Sequence, residues 1–136
     1  AAEPAVVRIS AMALDLRVDF AARTLAGDVV HTLAWADPAA AGPAELRLDT
    51  RDLAIERVQA RKGDGRWQRV DFALAERDPI FGSTLTVALP SRMDEVRIRY
   101  RTSPEASGLQ WMTPAMTAGG KQPLLFSQSQ AIHARS

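Results

Sequence analysis

The sequence predicts an all-β protein: a saddle-like antiparallel or mixed β-sandwich of about seven or more strands. Three observations carry this: short apolar/polar alternations, Gly/Pro turns separating them at roughly 8 to 12 residue spacing, and no strong helical periodicity through the first hundred residues. A chain of 136 residues suits a single hydrophobic core, so residues 1–136 are expected to form one domain.

Leu14, Leu16, Val18 and Phe20 fall on one parity and Asp15, Arg17 and Asp19 on the other, which marks a half-buried strand. The same pattern runs from Thr24 to Trp35, and the short link Ala21-Ala22-Arg23 makes the two a hairpin. Beyond the turn-rich residues 37–43, strands are expected over 46–49, 53–60, 67–74, 85–89 and 96–102. Gly63-Asp64-Gly65 turns between two of them, and Gly82-Ser83 and Pro90-Ser91 bracket another. Residues 103–136 are richer in Pro and Gly, and only 124–132 reads as extended.

Composition excludes several functions. Seventeen basic residues against sixteen acidic ones leave a net charge of +1, too little to recruit nucleic acid, and no apolar run approaches the ~20 residues of a membrane span. The absence of cysteine removes disulfides, thiol nucleophiles and thiolate metal sites. Ala1-Ala2-Glu3-Pro4 has neither a charged nor an apolar leader segment, so no intact signal peptide is expected, and both the cytoplasm and an exported compartment stay open. An excess of arginine over lysine and much alanine suggest a bacterial source.

No nucleophile, base and oxyanion stabiliser can be assembled from the spacing of the residues. His31 and His133 stand outside any metal-ligand motif and read as ordinary strand positions. Asp49, Asp52 and Glu56 read as a solvated turn, with Arg47, Arg51 and Arg57 as candidate ion-pair partners. Arg97, Arg99 and Arg101 alternate with Val96, Ile98 and Tyr100, so three guanidinium groups share one strand face, either solvated or docking an acidic partner. Gln128 and Gln130 share a parity with Phe126 and Ile132. A neutral carboxamide pair suits a peptide backbone or α-amino group, and it equally suits a polar strand face bonded to water.

The run Ser107-Gly108-Leu109-Gln110-Trp111-Met112-Thr113-Pro114, followed by Pro123-Leu124-Leu125-Phe126-Ser127-Gln128-Ser129-Gln130-Ala131-Ile132-His133, closely resembles the leukotriene hydrolase branch of the zinc aminopeptidases. Arg23-Thr24-Leu25-Ala26-Gly27 and residues 48–56 agree in order, so the resemblance spans essentially the whole chain. It departs at Ser129, where relatives often carry cysteine.

The resemblance implies an N-terminal β-domain that packs on a catalytic zinc domain. By its motif Gln130 contacts substrate, with Gln128 near the site and Ala131 a wall residue. The zinc-binding His-Glu-x-x-His, the motif that captures the free amine and the tyrosine that stabilises the tetrahedral intermediate have no counterpart in these residues. No catalytic residue, metal ligand or cofactor is therefore expected in this chain, with zinc in a longer parent. The expected partners are the catalytic domain, peptide substrate through it and, at the exposed interface, a second copy. A free-standing β-sandwich binding module is the alternative, and it predicts a finished surface where the severed domain predicts an apolar, poorly paired patch.

Overall fold

A computed structural model describes residues 6–128. The chain forms ten strands: β1 Val7–Asp19, β2 Thr24–Trp35, β3 Ala44–Thr50, β4 Leu53–Arg61, β5 Gln68–Arg69, β6 Phe72–Leu74, β7 Ser83–Leu89, β8 Glu95–Thr102, β9 Leu109–Met112 and β10 Leu124–Ser127. Among the described residues there is no α-helix, only a 3-10 turn at Pro114–Met116.

A five-stranded sheet runs β1-β2-β8-β4-β5, a three-stranded sheet runs β3-β7-β6, and β9 and β10 form a two-stranded hairpin. Every strand pairing is antiparallel, which settles the antiparallel-or-mixed expectation. The expected β1–β2 hairpin is present: Arg23 adopts a positive φ of 54° and the Asp19 carboxylate accepts the Ala22 N–H at 2.9 Å.

The core lies between the two larger sheets. Val29, Leu33 and Trp35 of β2, Val58 and Ala60 of β4 and Val96 and Ile98 of β8 face Leu46 of β3 and Leu85, Val87 and Leu89 of β7. Trp35 anchors one end, its indole N–H donating to the Met93 carbonyl at 2.7 Å.

Three expectations are revised. Residues 67–74 are not one strand: β5 pairs with β4 and β6 with β7, so the chain crosses between sheets at Val70-Asp71. Residues 109–112 form a strand that the Pro/Gly-rich surroundings concealed. The alternation in β1 is real, yet Leu14, Val18 and Phe20 are exposed rather than half-buried.

The geometry of β1 explains the last point. A one-residue irregularity between Ile9 and Ala11 shifts the register, so Val7 and Ile9 before it and Met12, Leu14, Leu16 and Val18 after it lie on one face. These oppose Trp35, Leu33, His31, Val29, Gly27 and Leu25 of β2. β4 makes the same correction between Ile55 and Arg57, bringing Leu53 and Ile55 onto the face of Val58 and Ala60. The stripe is thus on the core side of the sheet, yet Ile9, Met12, Leu14 and Val18 of this edge strand stay exposed while Val29, Leu33, Val58, Val96 and Ile98 of the inner strands are buried.

Candidate functional site

The residues singled out for substrate contact begin at the end of the β9–β10 hairpin. Leu124, Leu125, Phe126 and Ser127 pair with Met112, Trp111, Gln110 and Leu109. Gln128 extends the ladder by one bond, its N–H donating to the Gly108 carbonyl at 2.9 Å. Strand alternation places its exposed side chain on the face of Leu124 and Phe126, both also exposed. Gln130, Ala131 and His133 lie outside the described residues.

Local chemistry holds the hairpin. On one side the Ser103 hydroxyl lies 2.8 Å from the Glu105 carboxylate and accepts the Glu105 N–H at 3.1 Å, closing a turn that delivers residue 109 to β9. On the other, the Thr117 hydroxyl lies 2.8 Å from the carbonyls of both Pro114 and Gln122, gathering the connection from β9 to β10. The hairpin reaches the large sheet through Trp111, whose ring meets Phe20 edge-on with centroids 5.8 Å apart. The Trp111 Nε1 is buried and has no hydrogen-bond partner among the described residues.

A second feature lies between the sheets. The exposed end of β1 forms one wall of an open groove of about 320 Å3, whose lining includes Met12, Leu14, His31, Leu53, Ile55 and Tyr100. His31 is 9% exposed, and its Nδ1 has no hydrogen-bond partner among the described residues. Burial lowers its pKa below the ordinary imidazole value and raises that of Tyr100 above the ordinary phenol value, so both side chains are held neutral at pH 7. A buried neutral imidazole with an open nitrogen costs free energy until a polar group meets it.

The acidic residues near the β3–β4 turn form no site. Asp52, in a positive-φ position, binds Arg77 at 2.5 and 3.2 Å rather than one of the arginines beside it in sequence, and Arg77 holds its carboxyl below the usual range. Arg47 binds Glu45. Among the described residues no group of His, Cys, Asp or Glu could hold a metal ion. The sequence offered these carboxylates only the nearby Arg47, Arg51 and Arg57, because Arg77 is 25 residues from Asp52.

No family model matches the sequence. It is 44% identical over 124 residues to leucine aminopeptidase 2 of Yarrowia lipolytica, covering 89% of this chain and 18% of that protein. It is 36% identical to leukotriene A-4 hydrolase of Xenopus laevis, covering 99% of this chain and 22% of the relative. Native leukotriene A4 hydrolase of Saccharomyces cerevisiae superposes with a TM-score of 0.81 at 33% identity, over 96% of this chain and 20% of that one. The chain spans about a fifth of the length of these relatives. All three are eukaryotic and lend no support to the bacterial source suggested by composition. In sequence and in fold the chain matches the N-terminal β-domain of leukotriene A4 hydrolase-type aminopeptidases.

Proposed function

We propose that this chain is the N-terminal, non-catalytic domain of a zinc metallo-aminopeptidase whose full-length form removes N-terminal residues from peptides. The observation that carries this reading is the uncovered apolar stripe of β1. Met12 and Leu14 are 60% and 54% exposed on the inner face of the sheet, above a groove that ends in the unsatisfied His31. A free-standing module would close this face, since an apolar stripe beside an unpaired strand edge invites association. A severed domain leaves it open for the rest of the polypeptide. Dimerisation of the isolated domain over the same stripe is the other way to cover it.

The described residues supply no metal-ligand set, and in this reading zinc and its chemistry lie in the catalytic domain. This domain's contribution is scaffold and a substrate-facing carboxamide. Gln130 is the residue assigned to substrate contact, with Gln128 beside the site and Ala131 as a wall. In the sequence Gln130 shares its parity with Gln128, and a carboxamide both donates to and accepts from a peptide backbone without titrating.

The test is hydrolysis of an aminoacyl-naphthylamide panel by the isolated chain with added zinc, beside the full-length product. Activity confined to the full-length protein and lowered by Gln130→Ala supports the reading. Zinc-dependent turnover by the isolated chain overturns it.

A further inference from the structure

The outer face of the five-stranded sheet, opposite the groove, carries a concentration of arginine that the net charge of +1 conceals. Arg99 of β8 lies directly across from Arg57 of β4. In the next row Arg97 and Arg69 flank Gln59, and in the row on the other side Arg101 opposes Ala54. Five guanidinium groups thus occupy three adjacent rows of one surface. Among the described residues only Arg99 of these five has a carboxylate partner, Asp28 at 3.1 Å, while Arg97 spends two N–H groups on the neutral Gln59 oxygen. Arg57, Arg69 and Arg101 have no ion pair among the described residues, although Glu56 and Asp71 border the same hollow as Arg57 and Arg69. Like charges directly opposite each other destabilise a sheet, so this face carries a cost that an anionic partner would remove.

Part of the array is held in place. The Arg61 and Arg97 guanidinium groups each lie over the Trp67 ring, 4.4 Å from its centroid, and Arg61 also pairs with Glu95. This stacking fixes Arg97, and the three rows of the array themselves hold no aromatic side chain on which a nucleotide base could stack, which argues against single-stranded nucleic acid. Arg97, Arg99 and Arg101 repeat every second residue, about 6.6–6.8 Å apart along the strand, the same repeat as alternate side chains of an extended polypeptide.

The geometry points to a docking surface for an extended acidic segment of a partner protein, carrying a carboxylate at every second residue and lying along β8. Its carboxylates meet Arg97, Arg99 and Arg101, with Arg57 and Arg69 binding from the side. The site lies on the face of the sheet away from the groove, so it stands whether or not the stripe of β1 docks a catalytic domain.

Fluorescence anisotropy of a labelled peptide of alternating Glu and Thr, with the full chain, tests this. Saturable binding is expected at about 0.05 M salt and should fade toward about 0.5 M as screening shortens the reach of the charges. The double variant Arg57→Ala/Arg101→Ala should bind about three- to tenfold more weakly. Its melting temperature should not fall, because neither side chain has an ion pair to lose and one like-charge pair is relieved. Arg57→Lys/Arg101→Lys should retain most of the affinity, and Arg47→Ala on the other sheet all of it. Absence of peptide binding at low salt, unchanged affinity in the double alanine variant, or tighter binding of an oligothymidylate of equal charge would each overturn the proposal.

Discussion

Met12 stands directly opposite His31 in the β1–β2 ladder, on the same face of the sheet, the one side chain open to solvent and the other buried. The same change from exposed to buried separates Leu14 from its partner Val29, so the edge strand β1 is open where its neighbour β2 is covered.

The first prediction concerns the exposed side of that boundary. Met12→Lys/Leu14→Lys should leave the stability of the isolated chain within about 0.5 kcal/mol, since neither residue is packed. It should also lower binding of a hydrophobic dye severalfold. In a full-length parent the same substitutions should depress the melting temperature, because the proposed reading has the catalytic domain cover the stripe there. Equal effects in both forms would remove the stripe as an interface.

His31 gives a prediction in pH. Its folded pKa is depressed by burial, so below about 6.5 the unfolded chain takes up a proton that the folded chain resists. The stabilising effect of a neutral His31 is complete above that value and declines as pH falls through the window beneath it. Thermal melts at about pH 7.5 and 5.5, both above the carboxylate range, should show a drop that shrinks in His31→Gln. An identical drop in the variant would assign it elsewhere.

Gly27 is required by close approach. A Cβ built there would lie 2.0 Å from the Asp15 carbonyl oxygen of the paired strand, and φ is 158°. Gly27→Ala should destabilise by about 2–4 kcal/mol in denaturant unfolding. Gly42→Ala, where a Cβ meets nothing within 4 Å, should be close to neutral.

Arg92 pins the 37–43 connection. One guanidinium nitrogen lies 3.2, 3.0 and 3.3 Å from the carbonyls of Asp37, Pro38 and Ala40, and the group stands 5.6 Å from the Trp35 ring. Arg92→Ala should cost about 1–2 kcal/mol and speed proteolysis within that connection. A variant cut no faster than the parent would show that the connection holds without it.

What was legible follows from the range of each interaction. β2 was readable because Leu25, Val29, Leu33 and Trp35 keep one parity across it, and burial alternates from Val29 to Trp35. Residues 67–74 read as one strand because pattern does not show which sheet a strand joins. β9 was hidden because four residues between turns carry too few alternations to register. For the candidate site, Gln128 stands where the parity placed it, at the end of β10 on the exposed face of Phe126, whereas the roles of Gln130 and Ala131 rest on motif alone.

By itself the sequence determined the all-β class, the β1–β2 hairpin and the resemblance to leukotriene hydrolase-type aminopeptidases. These depend on local periodicity, on turn residues and on residue identity, all of which lie along the chain. The tertiary structure alone decided that the apolar side of β1 stays uncovered, that Asp52 pairs with Arg77, that His31 is buried with a free nitrogen and that arginines of three strands share one face. Each of these is set by how strands distant in sequence are brought side by side, and a one-residue shift of register such as that in β1 reverses every side chain beyond it.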